Sequence, residues 1–388
     1  MPKSRTLRLL SIFIACIIGI SAVQPSYALS EVAPFFNNPQ GSATQKANIR
    51  TQLRNNIRQA KKGDYIRIAS FAFHDRTTKN LLVRAHNRGV KVQVIVSVTS
   101  RYGVDQQIKE LQKLLGSDVT KGDKSWVVIC KKACRGGPES LELHSKIYLF
   151  SRNKVAYVGS ANLTNVAVSN QWNEMIRVRN DGVYNELLTI FNEMKLDKKA
   201  EVRGPYRNGK YQIISYPRNV TRQNDHLLDD LEKVRCSGAT GRSGIDGHTV
   251  VYISQYAWSG TRGVYLAERV AEMHANGCKV FIVLGEEPGD AVDRELKGVP
   301  KLKYDPLRGA PYNHEKWMAV SGRFGDQTEK YMLWTGSLNW TDRSELRDEI
   351  SVRVDGDRAM FSKYEARIKQ LKAKYNKASS HRIMLGED

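Results

Sequence analysis

Tyr65–Val96 reads YIRIASFAFHDRTTKNLLVRAHNRGVKVQVIV, and its pattern returns in Val251–Leu284, VYISQYAWSGTRGVYLAERVAEMHANGCKVFIVL, with Gly89 falling beside Gly277. In each copy a β-rich run ends in aromatic residues, and apolar positions such as Leu81, Leu82 and Ala85 then recur at helical spacing. A glycine stops the helix before another β-branched run, as at a C-terminal cap. The order strand, helix, strand predicts βαβ units, hence a largely parallel sheet covered by helices. Each copy follows an amphipathic stretch, Ala47–Ala60 or Leu227–Val234, and precedes a further strand candidate such as Trp126–Cys130. The polar segment Arg203–Asn224 separates the copies, and Ser237–Gly247 reads as a surface loop. The expected fold class is therefore α/β, with two similar halves, residues 29–215 and 216–388. Each is a mixed, largely parallel β-sheet flanked by helices, and the two pack around one shared site.

Downstream of each copy lies a second repeated block. LHSKIYLFSRNKVAYVGSANLT supplies His144, Lys146, Gly159, Ser160 and Asn162, followed by Glu174. NHEKWMAVSGRFGDQTEKYMLWTGSLNWT supplies His314, Lys316, Gly336, Ser337 and Asn339, followed by Glu349. Two residues apart on a strand, His and Lys point to one face, so an imidazole and an ammonium share a pocket. The Gly-Ser-x-Asn turns follow apolar runs, Val155–Val158 and Tyr331–Trp334, where glycine lets backbone amides approach an anion. This predicts a phosphate cradle, with Ser160 and Ser337 as substrate-binding residues. A single His-x-Lys is usually solvated surface. Two, each with the same followers on a duplicated fold, bring matching strand ends to one interface, where sites form. Trp172, Trp317 and Trp340 flank the blocks and suit either core packing or a lipid interface; Trp317 is the aromatic candidate for substrate contact. His74, His86, His226, His248, His274 and His381 have no repeated partners, although His74 lies at a strand end near the expected pocket. Asn162 and Asn339 also open glycosylation sequons, a reading set aside because both lie inside the repeated blocks.

The paired blocks resemble the two His-x-Lys motifs of the phospholipase D superfamily, and the similarity extends over nearly all of the chain after residue 28. The resemblance implies two phospholipase D-like halves and a two-step phosphodiesterase reaction. His144 attacks phosphorus to form a phosphohistidine while His314 protonates the leaving oxygen; His314 then activates water. Lys146, Lys316, Asn162 and Asn339 would donate to the non-bridging oxygens. Glu174 and Glu349 match family carboxylates that hydrogen-bond a histidine nitrogen and fix its tautomer. No metal or other cofactor is implied. The family's full motif has an Asp five residues after the Lys, where this chain has Ser151 and Ser321; in the family that residue supports structure, and its double loss bears on activity.

Composition narrows the partners. Hydrophobic residues make up 41% of the 388 and charged residues 26%, as in a globular protein with a real core. Lys3, Arg5 and Arg8 precede an apolar run, Leu9–Val23, then Pro25, Ser26 and Ala28, which reads as a signal peptide cut after Ala28. Its fifteen apolar residues fall short of the roughly 20 that span a bilayer. Its removal leaves 58 Lys and Arg against 40 Asp and Glu, a net +18, which favours a polyanion, lipid headgroups or nucleic acid alike. Cys130, Cys134, Cys236 and Cys278 remain; outside the cytosol an even number suggests disulfides. Cys130–Cys134 is the expected bridge, while Cys278, opening an apolar strand, suits a buried thiol as well. Their spacing does not fit zinc. The readings that follow are a secreted, monomeric phospholipase D acting peripherally at membranes, a secreted metal-independent nuclease, and an inactive nucleic-acid- or membrane-binding module.

Overall fold

Both strand–helix–strand units form. Strand Tyr65–Ser70, helix Arg76–Asn87 and strand Lys91–Ser97 make the first; Val250–Gln255, Gly260–Ala275 and Lys279–Leu284 make the second. Asp75 caps the first helix by accepting from the Thr78 amide, and the helix buries Thr78, Leu81, Leu82 and Ala85, the i, i+3, i+4, i+7 stripe of a half-buried helix. Gly89 and Gly277 stand just past the helix ends at φ 85° and 92°, the left-handed conformation that glycine adopts without a Cβ penalty. The computed structural model describes Met1 and residues 30–98, 103–120, 122–286, 288–303 and 311–384, with side chains up to residue 374. The signal-peptide reading falls on residues outside these.

Each unit grows into a sheet in the same order. A third parallel strand, Trp126–Cys130 or Lys301–Leu302, lies beside the second strand of the unit. On the other side the strand that carries the motif lysine, Lys146–Phe150 or Lys316–Phe324, runs antiparallel to the first. It turns back through Val155–Gly159 or Gln327–Gly336 and is followed by Glu174–Val178 or Ile350–Asp355. The sheets have seven and nine strands. They are mixed, but the parallel part is confined to the βαβ strands; the short connection from Phe150 to Val155 allows only an antiparallel hairpin, which corrects the expectation of largely parallel sheets. Tyr206–Asn208 and Tyr211–Ser215, inside the segment read as a linker, pair with each other and with Ile350–Asp355 of the second sheet. Val32–Phe36 plays the corresponding edge role beside Glu174–Val178.

Residues Glu31–Asp388 form one compact unit, Met1–Ser30 another. Within the former, both sheets contribute to a common core. Ile147, Leu149 and Ile176 meet Trp317, Ala319 and Val352 there, together with the helices Asp181–Met194 and Arg358–Met384. Side-chain alternation sends Tyr148 and Phe150 to a second core under helices Asn48–Gln59 and Arg76–Asn87, and Met318 and Val320 to a third under helix Gly260–Ala275. Disulfides join Cys130 to Cys134 and Cys236 to Cys278, so the Cys278 sulfur is bridged rather than a free thiol.

Candidate active site

Short pairings stitch the halves together where the motif strands begin. Tyr312–Asn313 pairs with Gln171–Trp172, and Leu143 bridges Asp348. Each histidine amide thereby donates to the opposite half, His144 N to Asp348 O at 3.0 Å and His314 N to Trp172 O at 2.9 Å. Both rings are 6% exposed, and the lysines two residues on are buried. Lys316 Nζ donates to the His314 carbonyl at 2.6 Å, and Lys146 Nζ makes the same bond to His144. The aromatic residues that end the first strand of each unit supply matching walls. Phe71 lies edge-on to His144 with its face toward Lys146; Tyr256 lies tilted against His314 with its face toward Lys316. These two rings, legible only as strand-end aromatics, belong to the site.

The Nδ1 partners differ between the halves. His144 Nδ1–H donates to Glu349 Oε1 at 2.6 Å. His314 Nδ1 is 3.0 Å from Asn173 Oδ1. Because Asn173 Nδ2 donates to Ala167 O, its oxygen faces the ring, so His314 too must carry the proton on Nδ1. Both rings are thus held in the tautomer that leaves Nε2 with a free lone pair. Glu174 does not hold a histidine: its oxygens accept from Thr335 Oγ1 at 2.7 Å and Tyr364 OH at 2.6 Å. Strand register explains the correction. Ser160 N pairs with Glu174 O, whereas Ser337 N pairs with Ile350 O, so Glu174 corresponds to Ile350 and Asn173 to Glu349. One residue of shift along a strand moves a side chain to the opposite face. Asn173 was missed because glutamate is the more obvious histidine partner; the spacing from the motif asparagine, ten residues to Glu349 and eleven to Asn173, was the available signal.

Burial and like charge set the electrostatics. Burial, with Lys146, Arg347 and Lys316 around it, depresses the His144 pKa, and burial with Lys316 and Lys146 does the same to His314. Burial brings Lys146 down to about 7 against the pull of Glu349. Lys316 is pushed well down by burial and by Lys146 beside it. Glu349 rises to about 7 and Glu174 to about 8, both through burial.

Other predicted residues divide. The carboxamide oxygens of Asn162 and Asn339 are buried without a hydrogen-bond partner, at matching points of the two halves. Ser160 and Ser337 are committed to the strands: Ser160 Oγ accepts from Glu174 N and Ser337 Oγ from Ile350 N, each at 3.0 Å. Their amides are likewise used, donating to Glu174 O and Ile350 O, so the two serines themselves do not offer donors to a phosphate. Glycine precedes them because a Cβ would meet the next strand, 2.3 Å from Glu174 O at Gly159 and 2.0 Å from Ile350 O at Gly336. Trp317 is no substrate contact. Next to Lys316 on a strand, it points to the opposite face, into the central core, where its Nε1 donates to Glu315 Oε2 at 2.7 Å. Trp172 and Trp340 are buried as well. Ser151 Oγ accepts from Tyr65 N at 2.8 Å and Ser321 Oγ from Gly244 N at 3.0 Å. Both lie at the far end of the motif strands, roughly 17 Å from the lysines at 3.3 Å per residue, so losing the family Asp leaves the reactive set untouched. His74 pairs with Asp105 at 3.2 Å, apart from the two rings.

A duplicated fold that turns a His-x-Lys pair from each half into one seam is the arrangement that the resemblance to the phospholipase D superfamily implies, and the comparisons with known proteins support that superfamily. Residues 53–195 match the family described as cardiolipin synthase, PLD-like domain. Among solved structures, phosphatidylserine synthase from Haemophilus influenzae Rd KW20 is similar with a TM-score of 0.53 at 14% identity, over 86% of this chain and 87% of that one. Polyphosphate kinase from Porphyromonas gingivalis is similar with a TM-score of 0.51 at 10% identity over 83% of this chain; the match spans 47% of the kinase chain. Nuc from Salmonella typhimurium, a phospholipase D family member, is 19% identical over 42% of this chain and 92% of that one, with a TM-score of 0.31. No curated protein matches the sequence.

Proposed function

We propose that the protein is an exported, monomeric phosphodiesterase that hydrolyses the headgroup phosphodiester of glycerophospholipids through a phosphohistidine on His144. The observation that carries this reading is the pair of buried imidazoles, each fixed with its proton on Nδ1 and each backed by a buried lysine. In the first step the His144 Nε2 lone pair forms a P–N bond as the P–O bond to the headgroup breaks, and His314, protonated on Nε2, gives that proton to the departing oxygen. In the second step His314 takes a proton from water, the water oxygen bonds to phosphorus, and the P–N bond breaks. A phosphorylated imidazole is cationic as long as the covalent bond lasts, so the carboxylate belongs beside the nucleophile; Glu349 is there. A proton shuttle must give up its charge readily, which the neutral Asn173 favours. Lys146 and Lys316 offset charge on the non-bridging oxygens, and Asn162 and Asn339, free to turn their carboxamides, donate to the same atoms.

The lipid assignment is supported by the cardiolipin synthase-type domain match and by the similarity to a phosphatidylserine synthase. Export is supported by two disulfides and the signal-like N-terminus. One chain supplies both histidines, so no partner subunit is needed. A nuclease is the second reading, favoured by the net +18.

The test is incubation of purified protein with chelator and phosphatidylcholine vesicles, and separately with plasmid DNA. Headgroup release supports the first reading and DNA cleavage the second. Binding without turnover of either supports an inactive binding module. His144→Ala and His314→Ala should each abolish turnover; full activity in either refutes the site.

A further inference from the structure

The helices that follow the last strand of each sheet, Asp181–Met194 and Arg358–Met384, bury the same positions: Val183, Tyr184, Leu187 and Ile190 in one, Met360, Phe361, Tyr364 and Arg367 in the other. Where the first presents Leu187 and Ile190, the second presents a phenol and a guanidinium. Arg367 is 1% exposed at its side chain. Its Nε donates to Glu315 Oε1 at 2.6 Å, its Nη1 to Asn37 O at 2.9 Å and its Nη2 to Asn173 O at 3.4 Å. Its plane lies over Trp172 and Phe36, 4.8 and 5.0 Å from their centroids. Glu315 stands between His314 and Lys316. The corresponding residue of the other half is Ser145, whose hydroxyl is buried without a partner.

This arrangement contains its own control. The first half closes the same fold with Ile190 and Ser145 where the second buries Arg367 and Glu315, so the architecture does not require the ion pair. Burying a guanidinium and a carboxylate is unfavourable unless both are fully bonded. Besides Asn37 O and, at 2.7 Å, Gln370 Oε1, the guanidinium reaches the strand end that carries His314, through Glu315, and Asn173, whose carbonyl it shares with Asn37 N at 3.2 Å. Arg367 takes the Asn173 carbonyl, Asn37 Oδ1 takes the Asn173 amide at 2.7 Å, and Ala167 O takes its Nδ2 at 3.0 Å. Its Oδ1 accepts from Ser160 Oγ at 3.0 Å and is aimed at His314 Nδ1. His144 is held by separate means. Its partner Glu349 follows Asp348, whose carboxylate accepts from the Cys134 and Arg135 amides of the loop closed by the Cys130–Cys134 bridge.

We infer that Arg367 is a positioning residue for His314 and not for His144, acting through Glu315 and Asn173. The inference rests on the proposed division of labour, with His144 as nucleophile and His314 as proton shuttle. It therefore separates the two chemical steps. Bis(p-nitrophenyl) phosphate tests it, because p-nitrophenolate departs without needing a proton. Formation of the phosphohistidine then reports on His144, whereas its hydrolysis still needs His314 to activate water.

In Arg367→Lys and in the paired replacement Arg367→Ile with Glu315→Ser, which installs the first half's residues and leaves no orphaned charge, the pre-steady-state burst should stay within about twofold of wild type. Steady-state turnover should fall about tenfold or more, since a misplaced general base loses part of the 10²–10⁴-fold that such groups contribute. Phosphohistidine should accumulate in the intact-mass spectrum. Burst and steady-state rates falling in equal proportion in the folded variants, or neither falling, would overturn the inference. Histidine-ring 15N spectra judge the same point without turnover: the His314 Nδ1–H signal should broaden or vanish in the variants while that of His144 persists, and two unchanged signals would also overturn it. Failure of the wild type to form any phosphohistidine would instead refute the proposed reaction, leaving the ring spectra to decide the positioning role.

Discussion

His144 has a charged Nδ1 partner and His314 a neutral one, although the duplicated fold puts them at equivalent ends of equivalent strands. On the His144 side the ring donates to a carboxylate, and beside it Arg347 and Glu142 pair at 2.6 Å. At the matching places on the His314 side are the carboxamide of Asn173 and a hydrogen bond from Gln171 to the Tyr312 hydroxyl. The charges missing from this side reappear one layer deeper, in Arg367 and Glu315, where the first half has Ile190 and Ser145. Duplication thus preserved the backbone that brings the histidines together, while the groups that tune them diverged. The divergence follows what each ring must do: one bears a lasting positive charge, the other passes a proton both ways.

Exchanging the Nδ1 partners tests this contrast. Glu349→Gln removes the anion beside His144 and should lower kcat about a hundredfold, because a carboxamide neither offsets the phosphorylated ring nor enforces the tautomer as firmly. Stopped-flow bursts with an activated phosphodiester should locate the loss in phosphohistidine formation; a loss confined to its hydrolysis would reverse the roles of the two rings. Asn173→Asp makes the opposite change. A carboxylate within hydrogen-bonding distance raises a histidine pKa by about 1–3 units, so His314 should hold its proton to higher pH. The acid limb of the kcat profile for hydrolysis of the intermediate should then move up by about one pH unit. A profile that does not move would mean that Asn173 is not the group that tunes His314.

Much of this site was legible in the sequence because chemistry that recurs in order is hard to produce by chance. His144, Lys146, His314 and Lys316 announce themselves through the two-residue spacing, and Gly89 and Gly277 mark the βαβ units that align the halves. Illegible were the features that depend on register and on the third dimension. Glu174 and Glu349 look equivalent along the chain, yet one residue of register makes Glu174 the partner of Tyr364 and Asn173 the partner of His314. Trp317 was misread although the alternation that aligns His314 with Lys316 already turned it inward. Arg367 lies 53 residues beyond His314 in an ordinary amphipathic helix, and no local pattern distinguishes it from the solvated cations around it.

The two lysines sharpen the contrast at the level of substrate binding. Two ammonium groups buried near each other cannot both stay charged at neutral pH. Lys146 has the Glu349 carboxylate as its strongest favourable neighbour and is brought to about 7, whereas Lys316, with Lys146 as its largest adverse neighbour, is pushed well down. Near neutrality Lys146 is therefore the ammonium whose charge changes with pH as it meets the phosphodiester. The sign follows directly. Below pH 7 Lys146 is protonated and attracts the anion; as pH rises through about 7 in the free protein the charge is lost, and substrate binding weakens. KM should consequently rise about tenfold between pH 6.5 and 8.5, toward the limit of one decade per pH unit for a single linked proton. Lys146→Met should flatten that dependence at a high KM, while Lys316→Met should lower kcat and leave the slope in place. Initial rates at constant ionic strength over this pH window decide it. Equal slopes in both variants would mean that the two ammonium groups share the charge and that the halves are less different here than at their histidines.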